Sequence, residues 1–270
     1  MPNGSVSVPF RATQAPHSTV SPRGPSSVGR TQATIVIPTW NGLDLLRGAL
    51  ASLEEQAFRD FETVVVDNGS TDGTVEWLRQ NRPSVRIVTF SENRGFAAAV
   101  NAGIRTAEGE ILVLMNNDVE AEPAWLGALV AGLDRHSEVG VCASKMLCWA
   151  DPARIDSAGD DLGLLAFSIG HGAPDSSAFR EARYVFSACA GAAAYRRSVL
   201  DDVGLFDERF YAYLEDVDLG ARIQMAGWRC LYVPDAVVYH RGSATADRLP
   251  SFKLRLLLRN SLFLFFQYMP

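Results

Sequence analysis

The residues of this chain that could do chemistry stand at the ends of its apolar runs. Residues 34–38 (TIVIP), 62–67 (ETVVVD), 85–90 (VRIVTF) and 111–115 (ILVLM) read as buried strands. The first empties onto Pro38, Thr39 and Asn41. The second empties onto Asp67-Asn68-Gly69-Ser70-Thr71-Asp72-Gly73, the third onto Glu92-Asn93-Arg94-Gly95, and the fourth onto Asn116-Asn117-Asp118. Any one of these is ordinary turn chemistry, since Gly, Asn and Asp serve tight turns. Four in succession, beyond the carboxyl ends of strands in one sheet, mark a ligand site. Further on, Glu215, Asp216 and Asp218 open a predicted helix, and His240 closes a short strand (AVVYH). Asp218 has a structural role available: an i,i+4 pair with Arg222 near a positively polarised helix start. Two common nucleotide sites are excluded. Neither G-x-x-x-x-G-K-[ST] nor G-x-G-x-x-G follows the first strand.

Helical patterns separate these strands. Leu46, Leu50, Leu53 and Ala57 mark one face of the first helix, which Asn41 can cap. Residues 74–80 and 95–105 read as the next two helices. The alternation implies right-handed crossovers and an α/β fold, with a mostly parallel central sheet covered by helices on both faces. Beyond residue 120 the pattern is mixed. Residues 123–136, 198–204 and 214–226 read as helices. Residues 139–143, 229–233 and 236–239 read as short strands, and 150–183 as a long loop with short strands. A Ser/Pro/Gly/Thr-rich tail over residues 1–31 is expected to be disordered. One domain then covers 32–246, its halves dividing near residue 120, and an amphipathic helix covers 247–270.

The bulk properties narrow the class. The chain has 270 residues, is 47% hydrophobic and carries a net charge of -6, which leaves no broad basic surface for nucleic acid. Cys142, Cys148, Cys189 and Cys230 lack zinc-site spacing and read as buried free thiols of a reducing compartment. The first 31 residues hold no continuous apolar segment like that of a signal peptide. No apolar run reaches the ~18 residues of a transmembrane helix, so a cytoplasmic location is expected.

The ordered blocks TIVIPTWN, VVVDNGSTDGT, ENRGFAAAVNAGI, LVLMNNDV, FDERFYAYLEDVDLGARIQMAGW and VVYHRGSAT strongly resemble the family 2 glycosyltransferases. The likeness is greatest to the bacterial rhamnosyl- and galactofuranosyl-type members, and it covers about residues 33–265. It implies a GT-A (Rossmann-like) fold with a nucleotide half (about 32–120) and a smaller, mixed acceptor half (about 121–246). The implied reaction moves a sugar from a UDP- or dTDP-sugar to an acceptor hydroxyl with inversion. By the same resemblance Asp67 accepts a hydrogen bond from a pyrimidine base. Pro38, Thr39, Asn41, Asn93, Arg94, Gly95, Asn116 and Asn117 line the donor, and Gly191 lets backbone approach its sugar. Asp118 is then a ligand of Mg²⁺ or Mn²⁺, which prefers such oxygens, and His240 the second. Asp216 is the general base that takes the acceptor proton, and Glu215 helps hold the acceptor. The family's D-x-D signature begins with Asn116 here, so only its last position carries full charge.

Two rival readings use the same elements. A sugar nucleotidyltransferase would carry a Gly-rich loop with Arg and Lys where Pro38-Thr39-Trp40-Asn41-Gly42 stands. A degenerate nucleotide-sugar-binding module would fit Asn116, but not the joint presence of Asp118, Asp216 and His240. The expected acceptor is a glycan or a lipid-linked molecule, and a small molecule stays open. The C-terminal segment, dense in Leu and Phe and broken by Arg255, Arg259 and Asn260, either packs on the domain or lies on the inner face of the membrane.

Overall fold

Strand β1 (Ala33–Thr39) is apolar on both faces, and the sheet grows outward from it. The computed structural model describes residues 31–162, 166–242 and 250–268; the tail expected over residues 1–31, save its last residue, and the domain boundary near residue 246 lie outside them. After β1 come α1 (Leu43–Glu54), β2 (Phe61–Asp67), α2 (Thr74–Asn81), β3 (Arg86–Thr89), α3 (Phe96–Thr106) and β4 (Ile111–Met115). Strands β3, β2, β1 and β4 lie side by side and parallel. Their period-2 alternation divides the core in two. Ile35, Ile37, Val65, Val113 and Met115 pack with Leu46, Leu50, Leu53 and Leu78 of α1 and α2. Val36, Val64, Val66, Leu112 and Leu114 pack with Ala97, Val100 and Ile104 of α3. Each fully buried aliphatic side chain contributes roughly 1.5–3 kcal/mol, which is why near-continuous apolar strands demand helices on both faces.

The second half adds β5 (Val119–Ala121), α4 (Trp125–Arg135), β6 (Val139–Cys148), β7 (Asp151–Ser157), β8 (Asp160–Leu162), β9 (Ala166–Ser168), β10 (Arg183–Val185) and β11 (Ala192–Arg196). It ends with α5 (Arg197–Val203), α6 (Glu215–Met225), β12 (Arg229–His240) and α7 (Pro250–Tyr268). The main sheet runs β10-β12-β6-β11-β4-β1-β2-β3, with β5 on β12 and β7 on β6. β11 is antiparallel to both of its neighbours, β4 and β6, and joins the parallel first half to the parallel β6–β12 pair.

Several sequence readings need correction. The two short strands expected over 229–239 are one, β12, with a register shift between Val233 and Val237 that holds Pro234, which has no N–H to give. Strand β6 runs five residues past the expected end at residue 143. Ala57 lies beyond the end of α1 and is exposed. Asn41 does not cap α1. Its side-chain Oδ1 accepts from the Thr71 backbone N–H at 2.8 Å, and Asp72 performs the capping.

Asp72 serves two helices. Its Oδ2 accepts from the Leu43 N–H at 3.1 Å at the start of α1, and its Oδ1 accepts from the Thr74 N–H and hydroxyl at 3.2 and 2.5 Å at the start of α2. Burial opposes its ionisation, but these hydrogen bonds outweigh burial and hold its pKa below the ordinary carboxylate value. A lowered pKa adds stability above the unfolded value of about 4, and that stability is lost as pH falls through the depressed value. Asp72→Ala is expected to cost about 1–2 kcal/mol in urea unfolding at neutral pH, with the gap to wild type closing under acid.

Candidate active site

The strand ends set the site. Thr39 pairs with Asp67, and Asp67 with Thr89, so β1, β2 and β3 stop at one level. Asn68, almost fully buried, ties the loops together beyond them. Its Nδ2 donates to Asn93 Oδ1 and the Gly95 carbonyl, both at 3.0 Å, and its Oδ1 accepts from the Arg94 N–H at 2.8 Å. Its backbone N–H donates to the Thr39 carbonyl at 2.8 Å. Asp67 is 2% exposed. One of its oxygens accepts from the Ser70 N–H at 3.1 Å, while Oδ1 has no partner. A buried carboxylate oxygen without a partner calls for an incoming N–H or O–H donor. Thr39 Oγ1 accepts from Asn117 Nδ2 at 2.9 Å. Pro38 lies beside Val66 in the ladder. Arg94 is exposed, with its guanidinium 4.8 Å from the Phe90 ring centre. Gly95 has φ +89°, and a Cβ there would stand 2.6 Å from the Tyr211 ring. Only glycine lets the two loops come so close.

Register also builds the second group. β12 pairs with β5 so that His240 faces Val119, next to Asp118. His240 Nε2 lies 3.4 Å from Asp118 Oδ1, and its Nδ1 lies 2.8 Å from Asp156 Oδ2 on β7. Asp118 Oδ1 is buried and has no hydrogen-bond partner. Burial disfavours the charged imidazole, but Asp118 and Asp156 outweigh it and push the pKa up to about 10. Asp118 and His240 are the residues that would hold a divalent cation here, which would take the place of the imidazole proton. The donors fit: a hard oxygen, an imidazole nitrogen, and a carboxylate holding the far side of the ring. Among the described residues no group of three or more His, Cys, Asp or Glu side chains is arranged to hold a metal ion by itself.

The third group is acidic. Asp216 Oδ2 accepts from the Ala190 N–H at 3.1 Å, and its Oδ1 from the Val217 N–H at 2.9 Å. Glu215 and Asp160 are each 5% exposed, and each keeps one oxygen without a partner. Burial, then the charge of Asp216, raises both of their pKa values well above the usual range. Asp216 is raised by burial too, but the backbone N–H groups work against that shift. Of the three, Asp216 is therefore the carboxylate best held in its ionised form, and it alone is only half-buried. The residues that hold it also reach the other groups, because the Gly191 carbonyl accepts from the Asn116 N–H at 2.8 Å. Residues 190–191 thus tether the base candidate to the Asn116–Asp118 run.

The model of the family described as glycosyl transferase family 2 matches residues 34–204. The chain belongs to this family. It is 30% identical over 246 residues to the N-acetylglucosaminyl-diphospho-decaprenol L-rhamnosyltransferase of Mycobacterium tuberculosis, covering 80% of this chain and 78% of that protein. It is 32% identical over 240 residues to the O-antigen biosynthesis protein RfbC of Myxococcus xanthus, covering 82% of this chain but only 18% of that much longer protein. Among solved structures it is similar to the mannosyltransferase PcManGT from Pyrobaculum calidifontis in complex with GDP-Man and Mn²⁺. The TM-score is 0.61 and the identity 25%, over 80% of this chain and 59% of that one. The GT-A fold expected from the sequence blocks is the fold observed.

In this family 2 glycosyltransferase the expected site residues gather in three linked groups, and four further residues join them. Asn68 and Asp160 sit in polar segments that offer many acids and amides and no way to choose between them. Tyr211 donates from its hydroxyl to Asn93 Oδ1 at 3.1 Å across 118 positions of sequence, so no local signal could find it. Asp156 reaches His240 because the β6–β7 hairpin pairs Leu147 with Ile155. Asp218 takes the structural role: its Oδ2 accepts from Arg222 Nη2 at 2.8 Å. Asp156→Asn is expected to weaken Mn²⁺-dependent binding of UDP or dTDP about tenfold while metal-free binding stays unchanged, as measured by titration calorimetry.

Proposed function

We propose that this enzyme transfers a sugar from a UDP- or dTDP-sugar to an acceptor hydroxyl by a single inverting displacement, in the synthesis of cell-surface polysaccharide or glycolipid. The observation that carries the reading is the tether at Ala190 and Gly191. It binds the half-buried Asp216 on one side and the strand end leading to Asp118 on the other. A base and a candidate cation–diphosphate site are thereby held together.

Asp67 Oδ1 would accept the imide N–H of uracil or thymine, and Thr39, Asn41 and Asn93 would flank the nucleoside. Arg94, exposed on its aromatic support, would reach the base or a phosphate. Gly191, with no side chain, would leave room for the donor sugar, and Glu215 would hold an acceptor hydroxyl. Asp118 and His240 would hold a Mg²⁺ or Mn²⁺ ion, whose charge offsets that of the leaving diphosphate. Asp216 takes the proton of the attacking hydroxyl. The acceptor oxygen bonds to the anomeric carbon from the face opposite the diphosphate, and the carbon–phosphate-oxygen bond breaks with its electron pair leaving on the nucleotide. No covalent enzyme intermediate is formed.

A lipid-linked acceptor fits α7, and with it a peripheral place at the inner face of the cytoplasmic membrane. Leu254, Leu258, Leu262 and Phe266, spaced four apart, are 57–78% exposed. Lys253 and Arg255 flank them, as an anionic bilayer requires. No helix among the described residues is long and apolar enough to cross a membrane. Co-sedimentation with phosphatidylglycerol vesicles, lost in Leu258→Asp, would support the contact; no sedimentation of wild type would remove it.

Asp216→Asn is expected to abolish transfer and leave UDP or dTDP affinity nearly unchanged; surviving turnover would place the base elsewhere. Because burial raises the Asp216 pKa, the acid limb of the kcat/KM profile should lie above pH ~4. A melting-point rise with UDP or dTDP that needs Mn²⁺, and that Asp118→Ala removes, is the matching test of the donor site. No rise with any nucleoside diphosphate would count against the whole reading.

A further inference from the structure

The loop that enters α6 is held in a conformation its residues do not favour. Tyr211, Tyr213 and Leu214 have φ of 66°, 70° and 67°, the left-handed region that side chains other than glycine rarely enter. Such backbone persists only where its surroundings over-determine it. The next two residues are Glu215 and Asp216.

What holds the loop comes from α7. Asn260 is fully buried, and its Nδ2 lies 3.0, 2.9 and 2.7 Å from the carbonyls of Phe210, Ala212 and Tyr213. A carboxamide has two N–H groups, so three carbonyls share them. Its Oδ1 accepts from Arg259 Nε at 2.9 Å, and Arg259 Nη2 donates to the carbonyls of Arg209 and Phe210 at 2.9 and 2.7 Å. Phe210 packs edge-on against Phe263. The far side of the loop faces the nucleotide segment, where the Tyr211 carbonyl accepts from the Ala97 N–H at 3.2 Å and its hydroxyl meets Asn93.

We infer that Asn260 is a positioning residue for Asp216: by gathering three loop carbonyls it fixes where α6 begins, and so where the base stands. This rests on the reading of Asp216 as base. It makes α7 a working part of the transferase, through a face separate from its exposed apolar one. Arg259 supports the Asn260 amide, and Tyr268 adds a second contact to the first turn of α6, its hydroxyl 2.6 Å from Asp218 Oδ1.

The test compares Asn260→Leu, which keeps the volume and removes the donor, with Leu256→Ala, which loosens α7 at a buried apolar position without removing a donor to the loop carbonyls. Asn260→Leu is expected to cut turnover about 100-fold, as a small misplacement of a catalytic group does, with donor KM and the affinity for UDP or dTDP plus Mn²⁺ unchanged. Hydrogen exchange should quicken at the Ala190 amide, which donates to Asp216 from another element. Leu256→Ala should lower the melting point and do neither. If Asn260→Leu does not fold, Asn260→Ser takes its place with the same readouts. Turnover near wild type, or equal losses in the two variants at equal loss of melting point, would overturn the inference. If wild type turns over no donor, the transferase reading fails; unchanged exchange at Ala190 would then still overturn the positioning role, and faster exchange would uphold it.

Discussion

One short strand of small residues carries the arrangement of the whole site. Among the described residues β11 is the only member of the main sheet's central path that lies between two strands and runs against both. Its alanines at 192–194 are buried at 0–1% exposure, and their size lets the helices and sheet close over it from either side. The register Ala192↔Met115 places Gly191 against Asn116, and the chain just before it places Ala190 against Asp216. A slip of one residue would turn each side chain to the opposite face. The loops that follow β1, β2 and β4 and the acid cluster would then no longer share a boundary.

Electrostatic cost is concentrated where that boundary lies. Glu215, Asp160 and Asp216 are three carboxylates in one poorly hydrated region, and two keep an oxygen without a partner. Such groups lower stability unless something outside the chain completes them. On the other side of the tether Asp118 and Asp156 enclose His240, where a positive charge is favoured. The site therefore holds a region that resists added negative charge beside one that seeks positive charge. That is the polarity expected for a hydroxyl that must lose a proton next to a diphosphate that must be neutralised.

The first half was nearly all legible. Its strands are buried on both faces, so their apolar runs are unbroken, and each ends in turn residues; β4 was read to the residue. The second half was less so. β12 carries Pro234 in its middle and read as two strands, because sequence cannot show that neighbours on either side keep a bulged strand together. The candidate site was legible where a residue ends its strand or stands just beyond it, as Asp67 and Asp118 do. It was not legible where contact depends on pairing register or on chain that returns from far away. Asp156, Tyr211 and Asn260 are of that kind. Asn41 shows the reverse failure: a sound local signal for a cap, overridden because Asp72 reaches both helix starts from the next loop.

The margins of the sheet also have a consequence for the protein as a solution species. β3, at one margin, is four residues long and opens with Arg86, whose guanidinium pairs with Glu62 and Glu108. At the other side β12 is tiled along one flank by two three-residue strands, β10 and β5, which meet it on either side of the bulge. Among the described residues the main sheet thus offers no long, flat, uncharged rim to which a second molecule could add a strand. Polymerisation through the backbone is thereby disfavoured, and among the described residues the exposed apolar side of α7 is a surface prone to association.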